Sequence, residues 1–128
     1  MDEPDRDGNY IEASGSAMFT YSLLKGSRLG YVGSMTEEAT KVGLRAHSYL
    51  TQNFVVHNAN GTPGWNGTVA VCSLNSNASY QVSRKFWKQE RELTGIKYYI
   101  SQPINYNSVL GSAVYVLASL EAEKQLGS

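Results

Sequence analysis

The sequence predicts a mainly α domain, and three observations predict it. Apolar residues recur at three-to-four spacing in three segments, near residues 12–25, 36–53 and 108–124. Helix start and stop residues flank those segments. Only two short runs read as strands, and the intervening stretches are rich in glycine and asparagine.

Residues 1–9 form a leading loop, with Pro4, Gly8 and four acids. The first helix is expected from about Glu12 to Lys25. Met18, Tyr21 and Leu24 or Lys25 define its apolar stripe, with Ala17 beside them. Lys25 followed by Gly26 reads as its end, a cation in the last turn and a glycine beyond. Its opening turn is unusual: Ala13, Ser14, Gly15, Ser16 and Ala17 are all small. Gly30-Tyr31-Val32-Gly33 is a connector. Thr36 before Glu37 and Glu38 is an N-terminal capping signature. The second helix then runs to about Asn53, with Val42, Ala46, Tyr49 and Leu50 as its stripe. A short link between two helices suggests an antiparallel pair.

Residues 57–68, HNANGTPGWNGT, read as loop or tight turn rather than core. Thr68 to Cys72 is a short apolar run that could be a strand. Ser108 can cap a last helix through about Lys124. Val109, Ala113, Tyr115, Val116 and Leu120 are expected on or near its buried side.

The bulk properties exclude several classes. With 128 residues the chain suits one domain with a modest core. A formal net charge of +0 gives no electrostatic case for nucleic acid or an anionic membrane. Charged residues are 17% and hydrophobic ones 41%, a balance that supports packing over disorder. Nine tyrosines offer apolar faces with hydroxyls, which suits helix packing and sugar-lined clefts alike. A single cysteine, Cys72, rules out an internal disulfide. The apolar run from Ala113 to Leu120 is too short to span a bilayer, and MDEPDRDGNY does not read as a signal peptide. Asn60-Gly-Thr, Asn66-Gly-Thr and Asn77-Ala-Ser are glycosylation sequons; Asn-Gly is also ordinary turn chemistry.

Site motifs are sparse. His47 and His57 have no paired acids or further cysteines at metal-ligand spacing, so no metal or cofactor is expected. GSRLGYVG lacks the lysine and spacing of a phosphate loop. Trp65 could stack on a sugar ring or pack as a loop tryptophan.

Four stretches, in order, carry a family likeness: NYIEASGSAMFTYSLLKGSRLGY, NANGTPGW, GTVAVCSLNSNASY and YYISQPINYNSVLGSAVYVLASLE. They resemble the unsaturated rhamnogalacturonyl hydrolases of glycoside hydrolase families 105 and 88, the six-hairpin glycosidases. The resemblance implies a partial (α/α)6 barrel, about three of its twelve helices, with a short β segment and long loops. It also accounts for the small residues of the first helix: inner helices crowd where the ring narrows, and their ends face the substrate.

That likeness covers the C-terminal portion of the family. The family's catalytic aspartate and its Arg-Gly-Asn-Gly-Trp motif have no counterpart here, so no catalytic residue is assigned. Ser73, Leu74 and Asn75 fall where the family places a substrate-side loop, and an Asn/Ser turn is the alternative. Glu12 and Ser14 stand at the cleft end of the first helix. Glu12 reads either as a cleft carboxylate or as a favourable charge at a helix N-terminus.

Residues 82–96, VSRKFWKQERELTGI, interrupt the likeness as an insertion in an otherwise single domain of residues 1–128. The insertion can be read as a short capped helix, an anion-binding patch, a solvated face or translated intron. The implied function is the C-terminal part of a pectin-degrading glycosidase, inactive alone, from an extracellular parent. Its partner is an oligosaccharide, with no nucleic acid and no membrane. The competing reading is a non-catalytic helical protein that binds carbohydrate or a partner.

Overall fold

The computed structural model describes residues 10–70 and 102–127. The chain divides into two compact units. Met1–Tyr10 and Val69–Ile104 form one, and Ile11–Thr68 and Asn105–Ser128 the other. The larger unit carries three helices: α1, Ala13–Arg28; α2, Thr36–Phe54; and α3, Val109–Leu126.

Helix α1 lies against both α2 and α3, while α2 and α3 touch each other less. A helix with neighbours on two sides must present a narrow, close-packing face to each. Its buried residues are Ala13, Ala17, Thr20, Leu24 and Ser27, alternating four and three apart. Of the expected stripe, Ala17 and Leu24 are buried and Tyr21 is half-buried, and the expectation is corrected at Met18. Met18 and Phe19 face outward, Phe19 with 74% of its surface exposed. Small side chains win the interface because they let the backbones approach.

The end of α1 also differs from expectation. Gly26 is inside the helix, and Gly30, at φ +73°, is the terminating glycine. Tyr31 N–H donates to the Gly26 carbonyl at 2.8 Å and Gly30 N–H to Ser27 at 3.1 Å. This is a Schellman closure, which needs a left-handed residue that Gly26 does not supply.

One turn of 3-10 helix, Gly33–Met35, leads into α2. Thr36 is the first residue of α2 and does not cap it. Its hydroxyl donates backward to the Gly33 carbonyl at 2.7 Å. The buried side of α2 is Ala39, Gly43 and Leu50. Of the expected stripe only Leu50 is buried; Val42 and Ala46 are half-buried and Tyr49 is exposed. Gly43 receives Leu24 of α1, and a Cβ at Gly43 would stand 2.7 Å from Leu24 Cδ2.

Strand β1, Val55–His57, continues directly from α2 and pairs antiparallel with β2, Pro63–Trp65. The register sets Val55 opposite Trp65 and His57 opposite Pro63. Residues 57–68 are thus not merely a surface loop. Trp65 is only 3% exposed and clusters with Ala13, Ala17 and Leu50, flanked by Phe54, Val55, Val114 and Tyr115. Glycines make this possible. Gly111 of α3 lies against the Trp65 indole and Thr68, and Gly67 fits between Phe54 and Ala13.

Strand β3, Thr68–Val69, pairs with β4, Ile104–Asn105. In the smaller unit, Ala70 N–H donates to the Pro103 carbonyl at 2.8 Å. Asn107, at φ +56°, clamps Trp65 twice. Its Oδ1 accepts from Trp65 N–H, and its own N–H donates to the Trp65 carbonyl, both at 2.8 Å.

Helix α3 buries Gly111, Ala118, Glu121 and Ala122. The expected buried side is corrected there too. Tyr115 is half-buried, but Val109, Ala113, Val116 and Leu120 are exposed, Val109 by 78%. Ser108 stands at the N-cap position without a side-chain capping bond. No helix among the described residues is long and apolar enough to cross a membrane.

Candidate functional site

The first turn of α1 is built around the Glu12 carboxylate. Glu12 is extended, at φ −81° and ψ 125°, and its side chain folds back over the helix start. The carboxylate accepts from Gly15 N–H at 2.6 Å and from Ser14 N–H at 3.2 Å. The Ser14 hydroxyl donates to the same group at 2.8 Å. A negative charge here meets the free N–H groups and the positive end of the helix dipole. Gly15 keeps the space open: a Cβ there would come within 3.1 Å of Glu12 Oε2. Ala13 N–H donates to the Gly67 carbonyl at 2.9 Å, fastening this end of α1 to the segment after β2.

Glu12 and Ser14 are therefore brought together, and the capping role of Glu12 is seen directly. Ser14 is held with its hydrogen toward Glu12, which leaves oxygen lone pairs as acceptors. Ser73, Leu74, Asn75 and Cys72 lie outside the described residues, as do the 82–96 insertion and Asn77. Trp65 is enclosed in the core, its indole N–H donating to Thr68 Oγ1 at 3.0 Å, so its faces are committed to packing.

Polar contacts that the sequence reading missed join the helices. Glu121 of α3, 4% exposed, accepts from Arg28 Nε at 2.7 Å and Nη2 at 3.1 Å, and from Lys124 at 2.9 Å. The Arg28 hydrogen bond, opposed by desolvation and helped by Lys124, holds the Glu121 carboxyl down to about 2. Such a group is an anion throughout the neutral range and cannot serve as a proton donor there. No local signal marks it, because Arg28 and Glu121 lie 93 residues apart and meet only where α1 packs on α3.

Between α2 and α3, His47 Nε2 lies 2.9 Å from Ser119 Oγ, and Thr51 Oγ1 lies 2.8 Å from the Tyr115 hydroxyl. The Ser119 hydroxyl donates to the Tyr115 carbonyl at 2.9 Å, so its oxygen accepts from His47, whose Nε2 carries the hydrogen. Burial pushes the His47 pKa below the ordinary histidine value, against a weaker pull from Glu123. No group of three His, Cys, Asp or Glu side chains among the described residues could hold a metal ion.

The sequence matches the family model for Glycosyl Hydrolase Family 88 over residues 1–126. Two curated relatives, Protein Atu3128 of Agrobacterium fabrum (strain C58) and the 24.9 kDa protein in picA locus of Rhizobium radiobacter, are each 28% identical over 123 residues. Those matches cover 95% of this chain and 48% of each relative, so the chain spans about half their length. A solved structure, a family 105 glycoside hydrolase from C. acetobutylicum, superposes with a TM-score of 0.75 at 35% identity. It covers 96% of this chain and 30% of that one. The three helices, with a face of mostly small residues on α1, make a mainly helical unit consistent with part of a helical barrel. By its family model the chain belongs to Glycosyl Hydrolase Family 88, and it shares its fold with a family 105 member.

Proposed function

We propose that the chain forms one sector of a hydrolase acting on unsaturated galacturonyl oligosaccharides derived from pectin. The supporting observation is the match to Glycosyl Hydrolase Family 88 over residues 1–126, joined to the superposition on a family 105 enzyme. In the proposed reaction, a carboxylic acid protonates the vinyl ether carbon of a 4,5-unsaturated uronic acid. Water adds to the resulting cation, and the hemiacetal collapses to release the neighbouring sugar. One acid that donates and then recovers a proton suffices, unlike the paired carboxylates of direct glycosidic cleavage.

In this reading the acid comes from the part of the barrel that these 128 residues do not match. Glu121 is an ion-paired structural anion, and Glu12 is engaged with the first turn of α1. The chain contributes substrate contacts. Ser73 and Asn75, with Leu74 between them, offer donors and acceptors to sugar hydroxyls. Ser14, oriented by Glu12, offers an acceptor at the end of α1. An extracellular setting fits a pectin-derived substrate.

The test is binding without turnover. Saturation-transfer NMR of the full chain should show contact with an unsaturated galacturonyl-rhamnose disaccharide and not with a saturated glucan disaccharide. Asn75→Ala should weaken that signal. Equal signals from both sugars, or none from either, would remove the substrate assignment.

A further inference from the structure

Two tripeptides of identical sequence, Asn60-Gly61-Thr62 and Asn66-Gly67-Thr68, stand six residues apart, and the fold treats them differently. We propose that Asn60 is an acceptor for an asparagine-linked oligosaccharide, and that Asn66 is excluded from that modification once the chain has folded.

Transfer to asparagine requires the amide and the hydroxyl two residues later to be presented together. At the tip of the β1–β2 hairpin all three residues of the first tripeptide are exposed. Asn60 Oδ1 accepts from the Thr62 hydroxyl at 2.7 Å and from Thr62 N–H at 3.1 Å. Gly61, at φ +82°, lets the chain turn so that amide and hydroxyl meet. Asn58 Nδ2 donates to the same Thr62 hydroxyl at 3.2 Å and steadies the loop. A branched sugar on Asn60 Nδ2 would project from the hairpin tip, away from the Trp65 core.

The second tripeptide offers the amide without the hydroxyl. Thr68 is 3% exposed, and its Oγ1 accepts from the Trp65 indole N–H at 3.0 Å. Gly67 is wedged against Phe54 and Ala13. Asn66 itself is exposed, but its N–H is tied to the Phe54 carbonyl at 2.9 Å. An enzyme could seize Thr68 only by breaking the core around Trp65.

The donor in this step is a polyprenyl-diphosphate oligosaccharide handled by an oligosaccharyltransferase. Asn60 Nδ2 forms a bond to the anomeric carbon, and the bond from that carbon to the diphosphate oxygen breaks. The polyprenyl diphosphate leaves with the electron pair, and one amide proton is lost to a base of the transferase.

The experiment uses the full chain carrying Asn77→Gln, so that the third sequon is silent. The folded protein is incubated with a purified oligosaccharyltransferase and its lipid-linked donor, and occupied asparagines are read by peptide mass spectrometry. The expected result is one glycan, at Asn60, abolished by Asn60→Gln and by Thr62→Ala and unchanged by Asn66→Gln. In Trp65→Ala, which frees Thr68, Asn66 should become an acceptor. An unmodified Asn60, equal occupancy of Asn66 on the folded chain, or an Asn66 that stays blank in Trp65→Ala would each overturn the proposal.

Discussion

The Trp65 indole stacks on the Tyr115 ring, with centroids 4.5 Å apart and planes 24° apart. That contact joins the β1–β2 hairpin to α3. Phe54 approaches the same indole at 6.0 Å, and Tyr115 stacks in turn with His47 of α2 at 5.7 Å. One buried ring thus links the end of α2, the hairpin and α3.

Truncating that ring should be the most damaging single change in the described core. Trp65→Ala removes a nearly fully buried aromatic and should cost about 3–5 kcal/mol. Against a typical total of about 5–15 kcal/mol, much of the cooperative unfolding transition would be lost. Urea denaturation followed by circular dichroism measures it. Trp65→Phe should cost less, since it keeps the stack and gives up the Thr68 hydrogen bond. Equal midpoints for Trp65→Ala and the parent chain would contradict the core assignment.

The Glu121 cluster predicts an acid-sensitive helix contact. Its carboxyl is held at about 2 in the fold against an ordinary 4.5. Its contribution to stability is therefore complete above about pH 4.5 and is lost as pH falls from there toward 2. Glu121→Gln should flatten that part of the pH–stability curve. It should also cost about 2 kcal/mol at neutral pH, below the usual cost of breaking a buried pair because Arg28 is one-third exposed. Denaturant midpoints at pH 3, 4.5 and 7 for both chains supply the comparison.

His47 predicts a second slope at higher pH. Its folded pKa lies below the ordinary 6.5, so the fold favours the neutral ring. That stabilisation is present above about pH 6.5 and declines as pH drops through 6.5 to the folded value. The parent chain should lose stability between pH 7.5 and 5.5 by more than His47→Gln does. Parallel curves for the two chains would show that His47 is not the titrating group.

Glu12 predicts a local effect at the start of α1. Glu12→Ala leaves the Ser14 and Gly15 N–H groups without their carboxylate and should cost about 1 kcal/mol. Amide exchange should accelerate at Ser14, Gly15 and Ser16 and stay unchanged in the middle of α2. Uniform acceleration throughout the three helices would point to a global role instead.

Much of the helical framework was legible in the sequence, because apolar periodicity and the acidic first turn of α2 act locally. The end of α1 was misjudged because its closure depends on backbone handedness, whereas α2 ends at Phe54, within a residue of expectation. Gly26 and Gly30 look alike as letters, yet only Gly30 adopts positive φ. The buried faces were harder. Helix α3 is apolar nearly all round, so periodicity cannot choose a side. Close packing chose Gly111, Ala118 and Ala122 over Val109, Val116 and Leu120. Trp65 was hidden by its glycine-rich neighbours, which look like turn residues and in fact clear space for an indole. The Glu12–Ser14 pair was legible as a helix start. Glu121 was not, because its partner Arg28 lies 93 residues away and only the packing of α1 on α3 brings them together.

The central claim is that this chain supplies packing and sugar contacts to a helical ring whose reacting acid it does not carry. The most direct measurement is ultraviolet absorbance of the conjugated double bond in an unsaturated galacturonyl-rhamnose disaccharide, followed with the purified 128-residue chain. The claim predicts an absorbance that stays level over hours at any chain concentration. A steady decline proportional to chain concentration, with rhamnose released in step, would contradict it.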